Sequence, residues 1–304
     1  MTLQSTKGIG KQRLHFEEIT STNKMAKELA DMGYAHGTLV TADAQTAGIG
    51  RRGRSWSSEK GEGIYMSVLL RPKFTPNQAP MLTLVAALAV ARAITDYFEN
   101  SILERHSTSI GDFMVKGDNG AHQEDAFVYC KKNAQKKIDG KIVGKKLPCK
   151  IKWPNDIVIN GKKICGILTE MILNHTQIDA VIIGIGINVS NTCFSDEISC
   201  TASSLYLETG LKWEKEQLLE EIWKWFEIYY ASFLNTGDLS SLKSEYEAFL
   251  VNKNEKVKVL DPHGAYTGMA KGITNTGELL VNTSKGVKTV DSGEVSVRGI
   301  YGYV

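Results

Sequence analysis

The sequence predicts an α+β fold in two parts: a larger domain over residues 1–250, where strands and helices intermingle, and a small all-β domain over residues 251–304. Three observations carry this expectation. Helix-spaced and strand-like apolar segments alternate as far as Val251. From Asn252 the pattern switches to short strands separated by turn residues. The chain's 304 residues, 42% of them hydrophobic and 23% charged, allow about two globular domains at ~150 residues each.

In chain order, Ser21-Thr22-Asn23 offers a polar N-cap, Met25, Ala26, Leu29 and Ala30 follow at helical spacing, and Gly33 closes the helix. Gly37–Ala42 reads as a strand and runs into a polar, glycine-punctuated loop from Gln45 to Ser58. Ile64–Leu70 is a second strand, ended by Arg71-Pro72. Leu82–Phe98 is a core helix. Its longest apolar run, Met81–Ala93, is too short to cross a bilayer and carries Arg92.

Glu104–Cys149 changes character, with nine Lys/Arg against six Asp/Glu and weak periodicity. It reads as an insertion, expected to be a solvated excursion whose deletion spares catalysis. Lys150–Ile159 and Ile164–Ile172 read as two strands joined at Asn160-Gly161, a pair that favours a hairpin turn. Val181–Val189 is a buried strand, and helices follow over Trp213–Phe233 and Leu242–Leu250. Five short strands complete the chain: Lys256–Leu260, Tyr266–Ile273, Glu278–Asn282, Val287–Val290 and Glu294–Arg298.

Bulk properties exclude several classes. A formal net charge of +2 is far from that of a chain built to coat nucleic acid. Met1–Gln12 lacks the apolar core and cleavage site of a secretory signal. The cysteines, Cys130, Cys149, Cys165, Cys193 and Cys200, are odd in number and form no CxxC pair, so a zinc site is unsupported and a reducing, cytoplasmic compartment is expected.

Three segments combine glycine with polar residues. In Gln45–Trp56 (QTAGIGRRGRSW), Gly48, Gly50 and Gly53 let backbone N–H groups turn toward a ligand, and Arg51, Arg52 and Arg54 suit phosphate or carboxylate. The spacing matches neither a P-loop nor GxGxxG, and on composition alone a basic surface loop is the simpler reading. In Lys152-Trp153-Pro154-Asn155-Asp156, proline breaks an apolar strand where Lys, Asn and Asp stand together, and Lys163 could return to the same mouth across the turn. A surface hairpin is the alternative. In Gly184-Ile185-Gly186-Ile187-Asn188, strand glycines mark either close approach of a ligand or tight sheet packing.

In this order and spacing, Ser21-Thr22-Asn23, the Gly48–Arg54 loop with Trp56, Lys152–Asp156, Lys163–Leu168, Gly184–Asn188 and the closing Glu294–Arg298 resemble the biotin–protein ligase family across nearly the whole chain. The resemblance implies a mixed sheet with helices like the class II aminoacyl-tRNA synthetase core, plus a C-terminal SH3-like barrel. It implies ATP-dependent conversion of biotin to biotinyl-5′-AMP and transfer to a lysine of a biotin carboxyl carrier protein. By resemblance, Ser21, Thr22, Asn23, Gln45, Gly48, Ile49, Gly50, Arg51, Lys163 and Gly166 would hold biotin. Arg51, Arg54, Trp56, Lys152, Asn155, Asn188 and Arg298 would hold ATP. Arg51 and Lys163 are the expected catalytic pair, because a carboxylate and a phosphate must meet where fixed cations stand. Mg2+ is expected with ATP, with Asn155 and Asp156 as candidate ligands.

Ile49 departs from the family's loop, often GRGRRGR, where an arginine stands at that place. The Glu104–Cys149 stretch has no counterpart in the pattern. Only twenty residues precede Ser21, too few for the winged helix-turn-helix of some relatives, so this chain is expected not to bind DNA. A homodimer is expected from the resemblance. A lipoate–protein ligase and a non-catalytic biotin-binding regulator are the competing functions.

Overall fold

A computed structural model describes residues 8–114, 147–262, 264–293, 296–299 and 303–304, with the backbone alone from 104 to 114. Strands β1 (Arg13–Ile19), β2 (Thr38–Gln45), β3 (Gly63–Leu70), β4 (Cys149–Lys152), β5 (Asp156–Ile159), β6 (Lys162–Asn174) and β7 (Gln177–Asn188) form one sheet in the order β1-β2-β3-β7-β6-β5-β4. Only β1 and β2 pair in parallel. Helix α1 (Thr22–Asp31) covers one face of this sheet, and α2 (Met81–Met114) covers the other. Short α3 (Leu205–Thr209), α4 (Lys215–Thr236), packed along α2, and α5 (Lys243–Phe249) complete the larger domain. Strands β8 (Lys256–Leu260), β9 (Tyr266–Ile273), β10 (Leu279–Thr283), β11 (Gly286–Val290) and β12 (Ser296–Gly299) form an antiparallel sheet in the order β11-β10-β9-β8-β12, as expected for a small C-terminal barrel.

The period-2 alternation of strands explains how one sheet serves two cores. On β3, Met66, Val68 and Leu70 join the α2 core, while Leu69 joins the α1 core. On β7, Val181, Ile183, Ile185 and Ile187 face α2. Its even positions read Ala180, Ile182, Gly184, Gly186 and Asn188: apolar under α1, then bare, then polar. The α1 face is therefore filled at one end and open at the other.

Three expectations change. Lys150–Ile159 is two strands, because Trp153-Pro154-Asn155 turns the chain back on itself, with a cis Trp153–Pro154 bond and Lys152 paired to Asp156. The helix read as ending at Phe98 continues to Met114, so the excursion starts later than Glu104; the rest of that expectation lies outside the described residues. Pro76–Leu103 is long and apolar enough to pass as a membrane span, unlike the shorter run read from the sequence, but most of it is buried in the core between the sheet and α4. The turn at Asn160-Gly161 is as expected, with both residues at positive φ (50° and 78°).

Candidate active site

At the open end of the α1 face lie two adjoining cavities, of about 250 and 40 Å3. They share a wall of Gly50, Arg51, Trp56, Asn155 and Lys163.

The smaller cavity ends on a polar network. Gln45 Oε1 accepts from the Thr22 backbone N–H (2.8 Å) and hydroxyl (3.1 Å), and its Nε2 donates to Ser58 Oγ (2.8 Å). Ser67 Oγ donates to Asn23 Oδ1 at 2.6 Å and lies 2.8 Å from Thr22 Oγ1, and Asn23 Nδ2 donates to Glu170. Ser21 stands at the N-cap of α1 without a side-chain cap bond and borders the cavity. Ser67 escaped the sequence reading; a lone hydroxyl inside the apolar run IYMSVLL was its signal.

Gly166 and Gly186 are register partners on β6 and β7, and the Trp56 indole rests on both; a Cβ on Gly186 would meet it at 2.6 Å. A Cβ on Gly184 would meet Asn23 Oδ1 at 1.9 Å. The strand glycines thus make room for the side chains of Trp56 and Asn23, which border the cavities. Gly48 lines neither cavity. It lets the loop fold on itself, since a Cβ there would sit 2.5 Å from the Trp56 carbonyl. Ile49, with its side chain about half exposed, borders the smaller cavity, and Gly50 borders both.

The larger cavity gathers cations from distant segments: Arg51, Arg54, Lys152, Lys163 and Arg298, with Asn155 and Asn188 also on its wall. Among the described residues that line it, Asp156 is the sole carboxylate. Its Oδ1 lies 2.7 Å from Lys163 Nζ, and its Oδ2 lies 4.0 Å from Lys152 Nζ and accepts from the Tyr303 hydroxyl. Burial opposes ionisation of Asp156, but the two ammonium groups and the phenol together hold it below the ordinary carboxylate range. Burial pushes Lys152 down to about 8, aided by Lys163, Arg298 and Arg54 and opposed by Asp156.

Lys163 reaches this centre through a β-bulge. Asp156 pairs with Gly166 and Ile157 with Cys165, yet Val158 pairs with Lys163, leaving Ile164 as the extra residue. Strict alternation would put residues 163 and 166 on opposite faces. The bulge returns Lys163 to the site face, where its ammonium stands 5.3 Å from the Trp56 ring centroid. Its backbone is pinned by Lys163 N–H to Thr201 O (2.7 Å) and Ser203 N–H to Lys163 O (2.9 Å). Arg51 Nη1 donates to Asn155 Oδ1 (2.9 Å), and Nη2 donates to the carbonyls of Ser292 and Gly293, tying the glycine loop to the C-terminal domain.

A polar slot thus leads along the strand glycines to a shared wall of cations, beside a larger basic cavity. Residues 15–188 match the biotin/lipoate A/B protein ligase family, and residues 254–298 match the biotin protein ligase C-terminal domain. The bifunctional ligase/repressor BirA of Bacillus subtilis is 33% identical over 294 residues, covering 96% of this chain and 76% of that protein. The biotin–[acetyl-CoA-carboxylase] ligase of Paracoccus denitrificans is 26% identical over 282 residues, covering 92% and 98%. The Aquifex aeolicus biotin protein ligase solved with biotin and ATP superposes with a TM-score of 0.70 at 28% identity, covering 95% and 99%. On its fold, its site and these relatives, the chain belongs to the biotin/lipoate A/B protein ligase family, and within it to the biotin protein ligases.

Proposed function

We propose that this chain activates biotin with ATP and transfers the biotinyl group to a lysine of a biotin carboxyl carrier protein. One observation carries the reading: the two cavities meet at Arg51 and Lys163, where a carboxylate held in one would reach a phosphate held in the other. In the smaller cavity, the hydroxyl and amide groups of Thr22, Asn23 and Gln45, with Ser67 buried behind Thr22 and Asn23, suit a ureido ring, which both donates and accepts hydrogen bonds. The larger cavity suits the nucleotide. A biotin carboxylate oxygen attacks the α-phosphorus, the bond to pyrophosphate breaks, and biotinyl-5′-AMP forms. A carrier lysine, as its free amine, then attacks the acyl carbon and AMP leaves. Arg51 and Lys163 offset the negative charge that accumulates where the two anions join. The glycine loop with Trp56 shields the mixed anhydride from water.

Asn155 and Asp156 do not fit the part of metal ligands. The Asn155 amide is used at both ends, by Arg51 and by the Ile167 carbonyl, and Asp156 is held by two lysines and Tyr303. No step is assigned to Mg2+, which associates with ATP through phosphate oxygens and water. A cytoplasmic location belongs to the same reading and suits the exposed free thiols Cys193 and Cys200. So does a homodimer, for which β1, paired on one side only, provides a sheet edge.

Incubation with biotin, MgATP and a purified carrier domain should add one biotinyl group to the carrier by mass. Adenylation of lipoate in preference to biotin would overturn the reading.

Arg51→Ala should lower the ligation rate more than tenfold, since one charge-assisted hydrogen bond contributes ~1.5–3 kcal/mol. Steady-state transfer to the carrier measures it, and a near-normal rate would remove Arg51 from the mechanism. Lys152 sets a pH limit. With its pKa near 8, it loses charge as pH rises through that value, so kcat/KM for ATP, which reports the free enzyme, should fall above about pH 8. A Lys152→Arg variant keeps its charge, and any activity it retains should hold to higher pH. Parallel pH profiles for the two proteins would assign the limb to another group.

A further inference from the structure

Tyr303 lies in the last two residues of the chain and belongs to none of the site segments read from the sequence. The tail is nevertheless docked. The Val304 backbone lies against Gly299, where a Cβ would meet its carbonyl oxygen at 2.0 Å, and the Val304 side chain abuts Gly161 in the β5–β6 turn, 3.1 Å from the place of a Cβ. This brings Tyr303 onto the wall of the larger cavity. Its hydroxyl donates to Asp156 Oδ2, and the Lys152 ammonium stands 3.9 Å from its ring centroid.

We propose that Tyr303 is a positioning residue for adenylation: through Asp156 it sets the placement of Lys163, and with its ring it seats Lys152, so that the C-terminal tail completes the anion-binding centre. The argument rests on the functional reading above and on the hydrogen-bonding capacity of Asp156. As the sole carboxylate on a wall of cations, Asp156 would gain most by chelating a lysine with both oxygens. Tyr303 occupies Oδ2, so Lys163 faces Oδ1 alone, at 2.7 Å, while it lines both cavities with donors to spare. Lys152 faces an aromatic ring and stays 4.0 Å from the carboxylate, which leaves its charge for a phosphate. Without the phenol oxygen, Asp156 is able to rotate and draw both lysines inward.

The test is a mutant cycle of Tyr303→Phe, Asp156→Asn and the double variant, read as the single-turnover rate of biotinyl-AMP formation. Y303F retains the ring and removes only the donor. It should lower the rate about tenfold, as loss of a charge-assisted hydrogen bond allows. The KM for biotin should stay within twofold. In the D156N background Y303F should add no further loss, because Tyr303 acts through Asp156. Where D156N is too slow to time, equilibrium ATP binding completes the same cycle. A Y303F protein at the wild-type rate overturns the proposal. Losses that multiply across the two backgrounds also overturn it, and a general folding defect gives that pattern. Wild-type protein that forms no biotinyl-AMP defeats the functional reading itself; an active wild type with an unaltered Y303F defeats this inference alone.

Discussion

Lys163→Ala is expected to slow biotinyl-AMP formation by roughly 10²–10³-fold, the range for removal of one preorganised charge-stabilising group. Two effects combine. The substitution removes one of the two cations, the other being Arg51, on the wall common to both cavities. It also leaves Asp156 buried with only Tyr303 in contact and Lys152 at 4.0 Å, so a poorly neutralised carboxylate faces the incoming phosphates. Lys163→Arg should rescue only in part, because a longer, planar guanidinium spreads its donors differently from the compact ammonium that stands 2.7 Å from Asp156 Oδ1. Rapid-quench measurement of biotinyl-AMP in the absence of carrier isolates this step. A rate within threefold of wild type would show that Lys163 is not the cation that matters.

Trp153→Ala should destabilise the protein by ~3–5 kcal/mol, the usual range for a large aromatic side chain removed from a core. Trp153 is 1% exposed and sits in the turn between β4 and β5. Its Nε1 donates to the Gly277 carbonyl at 2.9 Å, a buried bond into the C-terminal domain. The substitution opens a cavity at the junction and strands that carbonyl. Trp153→Phe keeps most of the volume and loses the bond, so its loss should be smaller, ~1–3 kcal/mol. Urea titration followed by circular dichroism gives both values. A loss under about 1 kcal/mol for the alanine variant would mean that the junction is held elsewhere. Because Lys152 and Asp156 flank this turn, the variant should also lose nucleotide affinity.

Most of the fold was legible because apolar spacing follows secondary structure directly. The α1 register, β2, β3, β7 and the C-terminal strands all carry clear alternation or helical periodicity. β1 went unread because Leu14 and Phe16 alternate over only two periods in RLHFEEI before Glu17-Glu18 breaks the pattern. α3 is five residues long, too short to show a period. The turn at Trp153–Asn155 was read as a break but not as a reversal, since proline announces lost pairing without giving its direction. The site was legible as two glycine-marked segments and one broken by proline, and the structure brings all three to the two cavities. Gly48 and Gly53 are the named loop glycines that stay outside both cavities.

The sequence alone determined which segments carry chemistry, because glycine, cations and amides within apolar strands are informative without coordinates. It left open whether Gly184 and Gly186 mark a ligand or tight packing, and the structure lays Asn23 and Trp56 on them. Tertiary structure decided what meets what. The bulge at Ile164 aims Lys163 at Asp156, against the strict alternation of its own strand. The docked tail adds Tyr303, about 150 residues downstream in the chain, by a contact that leaves no local pattern to read. Side-chain period is a property of a few neighbouring residues, whereas register and long-range contact are set by the packing of the whole sheet.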